Sequence, residues 1–282
     1  VYHEGLYHLF YNGYSAFPRG LGYATSTDGL HFERYAGNPI FEPPVAGTVT
    51  IGPVVYVEAD GTWVMYIVED QHRSNLTGDS VMRYTAPAPS GPWTVSNAGQ
   101  PVYTAPSDDH WTARIVVRSV VVEADRILLA FHSRHSNLTV DIGILTSQDG
   151  LNFELLSEEP VLSPGAEGAW DDFAVGAPIL FATETGYEMF YLGMVERYGR
   201  LRAYQGDNLF FGYATSPDGI QWEKDPGNPV VRISEENGFS YSSGLMVDGQ
   251  YWIAHVYDAG GDGLGMVLVE NESAEEGFSG EH

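Results

Sequence analysis

The sequence predicts an all-β protein, a five-bladed β-propeller of four-stranded antiparallel blades, and three observations predict it. One motif recurs along the chain, each recurring unit reads as two hairpins, and no stretch carries a long 3.6-residue apolar period. The motif is GYATSTDGLHFERYAGNPIF from Gly22, MRYTAPAPSGPWTVSNAGQPVY from Met82, GILTSQDGLNFELLSEEPVL from Gly143 and GYATSPDGIQWEKDPGNPVV from Gly212. A partial fifth copy, GLGMVLVE, begins at Gly263. Anchored on Gly22, Met82, Gly143, Gly212 and Gly265, successive copies stand 60, 61, 69 and 53 residues apart. A solenoid needs a shorter period, and a sandwich does not repeat one hairpin five times. In the Asp boxes of six-bladed sialidases Asp and Gly are not adjacent, as they are here.

The elements follow in order. The first hairpin of each unit reads VVYVEADGTWVMYIV (54–68), RSVVVEADRILLAFH (118–132), APILFATETGYEMFYL (177–192) and SGLMVDGQYWIAHV (243–256). The second is the motif itself, whose Asp-Gly between β-rich runs is a strong hairpin signal. The four strands are A to D, and NPIF, QPVY, EPVL and NPVV mark strand D leading into the next blade. The blades fall roughly at 1–45, 46–105, 106–164, 165–232 and 233–270, and NESAEEGFSGEH (271–282) reads as a flexible acidic tail. Val1 aligns with the end of strand A in the first blade.

Composition narrows the chemistry. The chain has 282 residues, a formal charge of −25, a single lysine (Lys224) and no cysteine. Such acidity repels phosphate backbones and argues against a nucleic-acid partner. The absence of cysteine excludes disulfides, thiolate metal sites and cysteine nucleophiles. No run reaches the roughly 18–20 apolar residues of a membrane span. The expected setting is extracellular, for a secreted protein without its leader, and the expected partner is an oligo- or polysaccharide.

Strand direction sorts the loops. A–B and C–D turns share one face and are terse; B–C and D–A connections share the other and are long and varied. That second face should carry the pocket, at the axis. On it stand Asp109 in SDDHWTAR (107–114), Asp172 in GAEGAWDDFAVG (165–176) and Glu196 on the longest loop, the candidate catalytic carboxylates. Paired carboxyls can cleave a glycosidic bond, one protonating the leaving oxygen and the other attacking or activating water. Trp111 and Trp170 are candidates to stack on sugar C–H faces, with His132, His135, Arg118, Arg114, His72, Asp70 and Asp258 as hydrogen-bonding partners. Asp beside Trp has a second reading: Asp caps the start of strand A and Trp packs between blades. His132-Ser-Arg-His135 lacks a second cluster with ligand spacing, so sugar binding is preferred to metal binding. No cofactor is expected beyond a structural cation in the central channel. Arg114 and Arg118 lie on an innermost strand, where an Arg facing the channel needs an anionic partner. Asn75, Asn137 and Asn271 sit in glycosylation-type sequons, of consequence only in a eukaryotic secretory pathway.

YHLFYNGY, GYATSTDGLHFE, GNPIF, WDDFAVGAPILF and GYATSPDGIQWEKDPGNPVV together resemble the five-bladed glycosidase propellers of the arabinanase, levansucrase and invertase type. The resemblance spans all five units and implies a glycoside hydrolase. It also implies catalytic carboxylates at the openings of the inner strands of the first three blades, often as Asp-Pro or Glu-Gly-Pro. The first such position would precede Val1. Gly52-Pro53 stands at the second, Val116 or Val117 at the third, and the fourth blade has Ala177-Pro178. The departure leaves three readings: acids moved to Asp109, Asp172 or Glu196; a propeller that binds glycan without cleaving it; or a phosphorolytic relative in which Arg and His hold phosphate.

Overall fold

The computed structural model describes residues 1–12, 20–43, 49–70, 80–107, 109–135, 139–195, 209–232, 241–256, 264–269 and 280–281. The chain divides into two compact units, Val1–Leu128 with Thr146–Glu154, and Leu129–Leu145 with Leu155–His282. Both are built from antiparallel sheet. In the first unit β1 (Tyr2–His3), β2 (Leu6–Asn12), β3 (Leu21–Ser26) and β4 (Glu33–Arg34) form one sheet in sequence order. A second sheet contains β5 (Val49–Val57), β6 (Trp63–Asp70), β7 (Ser80–Ala86) and β8 (Thr94–Val95), with β9 (Tyr103–Thr104) also on β7. Strand β10 (Ile115–Val122) belongs to the same unit.

Strands β11 (Ile127–Arg134), β12 (Val140–Ser147) and β13 (Glu154–Leu155) contribute residues to both units. In the second unit β14 (Ala174–Thr183), β15 (Gly186–Met194), β16 (Leu209–Ser216) and β17 (Glu223–Lys224) pair antiparallel, with β18 (Val231–Arg232) also on β16. A single parallel contact, Val140 with Ala174, joins β12 to β14. The last sheet is β19 (Tyr241–Val247), β20 (Gln250–Val256), β21 (Leu264–Val269) and β22 (Gly280–Glu281). Among the described residues no helix is long and apolar enough to cross a membrane.

The strands form where the apolar alternation and turn chemistry put them. Leu21, Phe41, Met65, Ile67, Met82 and Tyr84 make one buried cluster in the first unit. Ala177, Ile179, Phe181, Phe190, Leu192, Phe211, Tyr251 and Ile253 make another in the second. The Ser-x-Asp-Gly turns repeat one hydrogen-bond pattern. Ser26, Ser147 and Ser216 each accept the glycine N–H on Oγ, at 2.9, 3.0 and 2.8 Å. The carboxylates of Asp28, Asp149 and Asp218 each accept the N–H groups two and three residues on, all at 2.8 Å. Those backbone donors hold all three carboxyls below the usual Asp range. Gly29, Gly150 and Gly219 adopt φ of 77°, 69° and 81°, which is why glycine follows the aspartate.

Strand D differs from a continuous strand. It consists of two short stretches of pairing, and in two of the repeats an Asn side chain between them replaces part of the backbone pairing. Tyr23 N–H donates to Asn38 Oδ1 at 2.8 Å, and Asn38 Nδ2 donates back to the Tyr23 carbonyl at 2.9 Å. Asn228 does the same for Tyr213, at 2.8 Å each way. Beyond each Asn the chain rejoins the sheet through Ile40 N–H to Leu21 O at 2.8 Å and Val230 N–H to Phe211 O at 2.9 Å.

Candidate functional site

In the first unit the inner strand β5 kinks where Gly52-Pro53 interrupts it. Its register with β6 shifts between Ile51 and Val54, and Gly52 has φ of 62°. A Cβ there would lie 2.7 Å from the Val117 carbonyl and 3.6 Å from an Arg118 guanidinium nitrogen. Glycine therefore lets β5 approach β10 and places the half-buried Arg118 beside the kink. Arg114, also half-buried, immediately precedes β10.

Ahead of β10, His110 N–H donates to Ser107 O and Ala113 N–H donates to His110 O. Thr112 is fully buried, its hydroxyl 2.9 Å from the Tyr103 hydroxyl and 2.8 Å from His110 Nδ1. Asp109 is exposed, and the half-buried Trp111 ring lies 6.1 Å from that of His110. At the end of β6, Glu69 is buried and accepts a hydrogen bond from the Tyr84 hydroxyl. Burial, and then the Glu69 carboxylate, push that phenol up.

In the second unit the inner strand β14 repeats the kink at Ala177-Pro178. Its register with β15 shifts between Gly176 and Ile179, and Ala177 holds the left-handed φ of 46°, uncommon for a residue with a Cβ. Its N–H donates to His132 Nδ1 at 3.1 Å. An accepting Nδ1 means a neutral imidazole with its proton on Nε2. His135 closes the β11–β12 hairpin through its N–H to Thr139 O. Its Nε2 stands 2.6 Å from Asp141 Oδ2, ion-pair distance though off the direction of a hydrogen bond.

The Trp170-Asp171-Asp172 segment leads into β14, and its three side chains part company. Trp170 lies across β15 and β16: Cβ atoms on Gly193 and Gly212 would come within 2.2 and 2.5 Å of its ring, and Tyr191 packs beside it at 5.7 Å. Asp171, 2% exposed, pairs with Lys224 Nζ at 2.6 Å, and the same ammonium donates to the Ser163 carbonyl at 2.8 Å. Burial, and then Asp171, raise the Tyr191 phenol. Asp172 is only half-buried, and one of its oxygens accepts the Gly168 N–H at 2.9 Å.

Each unit thus brings a kinked inner strand together with a basic side chain, Arg118 in one and His132 in the other. Glu196, His72 and Asp258 lie outside the described residues, as does the side chain of Asp70, whose backbone ends β6. Among the described residues no three His, Asp or Glu side chains are grouped to hold a metal ion. Sequence reasoning missed the buried acids Glu69, Asp141 and Asp171 as paired groups. Signals existed for two: Glu69 ends the apolar run WVMYIV, and the lone lysine was bound to have a special partner.

No protein-family model matches the chain. Its structure is similar to that of a thermostable family-43 glycoside hydrolase, with a TM-score of 0.71 at 17% identity, over 100% of this chain and 91% of that one. It is also similar to the GH32 β-fructofuranosidase of Bombyx mori, with a TM-score of 0.71 at 13% identity, over 99% and 60% of the two chains. A third similar structure comes from the GH130 family, described as mannoside phosphorylases that include hydrolases of β-1,2-mannosidic linkages in Candida mannan. Its TM-score is 0.66 at 17% identity, over 98% and 84%. In sequence, 32 residues are 50% identical to the A type blood N-acetyl-α-D-galactosamine deacetylase of Flavonifractor plautii, spanning 11% of this chain and 4% of that protein. The all-β fold is therefore the one used by β-propeller glycosidases.

Proposed function

We propose that the chain is a five-bladed propeller and a glycoside hydrolase, cleaving a plant or microbial oligo- or polysaccharide by carboxylate acid/base catalysis. The recurring strand pattern and the likeness to glycosidases over the whole chain support the blade count and the substrate class. One observation carries the assignment of roles: of two adjacent acids, Asp171 is buried and neutralised by Lys224, whereas Asp172 remains accessible. Asp171 and Trp170 then serve as the footing that holds Asp172 at the mouth of β14.

In this reading Asp172 protonates the leaving oxygen and the exposed Asp109 activates water or attacks, with Glu196 as the third carboxylate. Their carboxyl oxygens would have to stand about 5–9.5 Å apart across the sugar. Trp111 stacks on the ring, and His132, His135, Arg114, Arg118, His72, Asp70 and Asp258 hold its hydroxyls. Extracellular action on glycans follows from the same reading.

The test is turnover of aryl glycosides and oligosaccharides by Asp172→Asn and Asp109→Asn. Loss of a general acid or base lowers kcat by about 10²- to 10⁴-fold while glycan binding is kept. Unchanged turnover in both variants overturns these roles. A second reading has its own observation: both kinked inner strands, at Gly52-Pro53 and Ala177-Pro178, lack a carboxylate, which favours binding without cleavage. Binding with no turnover of any glycan, with or without phosphate, would select it.

A further inference from the structure

The second unit contains a cavity of about 480 Å³ at the other end of the β14–β17 sheet from Asp172. It opens beside the tight turns at Thr183–Gly186 and Ser216–Gln221. Strand β14 runs from Ala174 to Thr183, so at about 3.3 Å per residue the two ends lie roughly 25–30 Å apart. The volume falls within the range of small-molecule sites.

The lining is specific. Glu188, Thr215 and Glu223 are direct neighbours across β15, β16 and β17, so their side chains share one face. The Tyr251 hydroxyl donates to the Glu188 carboxylate, and the Tyr213 phenol is hydrogen-bonded to it as well, which fixes its direction. Trp222 completes the wall, with Gln221 beside it. The Trp222 indole N–H is taken by the Gly219 carbonyl at 2.8 Å, so the ring is oriented and offers its face. Among the described residues no Lys, Arg or His lines the cavity, which disfavours any anion.

In two of the other sheets the same row is closed. In the first it reads His8, Thr25 and Glu33, and the His8 ring packs on Trp63 at 4.9 Å and on Tyr23 at 5.9 Å. In the second it reads Val64, Thr85 and Thr94, with Val64 fully buried.

We propose that this cavity is a second saccharide-binding site, separate from the proposed catalytic end and selective for neutral glycans. The fixed Glu188 carboxylate, the exposed Glu223 carboxylate and the hydroxyls accept from and donate to sugar hydroxyls, while the Trp222 face meets the C–H surface of a ring. An enzyme with such a site keeps hold of a polymer while the other end of the sheet acts on it.

The experiment titrates the intact chain calorimetrically with xylohexaose, cellohexaose and mannohexaose, and in parallel with a galacturonic acid hexamer and a chitosan hexamer. The proposal expects a neutral oligomer to bind, and Trp222→Ala with Glu223→Gln to weaken that binding about tenfold or more. Trp222→Phe is the second variant, because Phe32 and Phe153 occupy this place in two other repeats and the fold accepts it. Turnover of a small aryl glycoside stays unchanged in all of them. The site is overturned if no neutral oligomer binds, if binding is indifferent to Trp222 and Glu223, or if only the chitosan hexamer binds through them, since that is a cation site. Trp222-dependent binding without turnover leaves this site standing and removes the hydrolase. Turnover with Trp222-independent binding does the reverse.

Discussion

Lys224 carries an outsized share of the local electrostatics, since it neutralises Asp171 beneath Trp170 and is the only lysine in a chain of formal charge −25. Lys224→Met strands that buried carboxylate. It should cost about 3–5 kcal/mol in chemical denaturation, and adding Asp171→Asn should recover much of the loss. No change in midpoint would mean the pair is dispensable. The turn aspartates give a pH-dependent signature. Asp149 is held below the ordinary carboxyl value of about 3.9 by backbone donors, so its stabilisation is complete above that pH and fades as pH falls through the folded value. Asp149→Asn resembles the protonated form. Its deficit in Tm, roughly 2–4 °C at neutral pH, should shrink below about pH 4. A deficit constant with pH would assign the effect to hydrogen-bond shape and not to charge. The turn was legible because Ser-x-Asp-Gly and the two residues after it contain all the partners of the turn. Asp171 with Lys224 was not, because the partners are 53 residues apart and only the fold brings them together.

Elements were more legible than residues. The four upstream hairpins fall within a few residues of β5–β6, β10–β11, β14–β15 and β19–β20, since strand-length apolar runs, and in three of the four an Asp-Gly or Thr-Gly turn, specify them locally. Strand D was less so: Asn38 and Asn228 substitute side-chain amides for backbone pairing, and an Asn-Pro dipeptide does not announce that. Nor did the sequence say which way Trp170 lies. The answer rests on two glycines: Gly212 on β16 pairs with Tyr191, Gly193 lies two residues further along β15, and together they leave a bare patch of sheet for the indole. Gly193→Ala drives a methyl into the ring and should cost about 1–3 kcal/mol. In a Trp170→Ala background the same change should cost less, because the ring has gone and only the Asp171 Cβ, 2.7 Å from the added methyl, still opposes it. Equal costs in the two backgrounds, read from thermal or denaturant unfolding, would place the ring elsewhere.

Across the whole molecule, the repeat pointed to an all-β scaffold, and the fold shared with solved glycosidase structures agrees. The catalytic acids were far less legible. The inner-strand openings of β5 and β14 keep the kink, at Gly52-Pro53 and Ala177-Pro178, without an acid, and they set Arg118 and His132 beside it. In the proposed reading the catalytic acids are loop carboxylates, whose approach to one another depends on tertiary placement that spacing does not encode. The most direct check of the central claim is release of reducing sugar by the wild-type chain from a panel of neutral oligosaccharides and aryl glycosides, with and without added phosphate. Cleavage of at least one member in phosphate-free buffer is the expected result. Failure to cleave or bind any member in either buffer would contradict it.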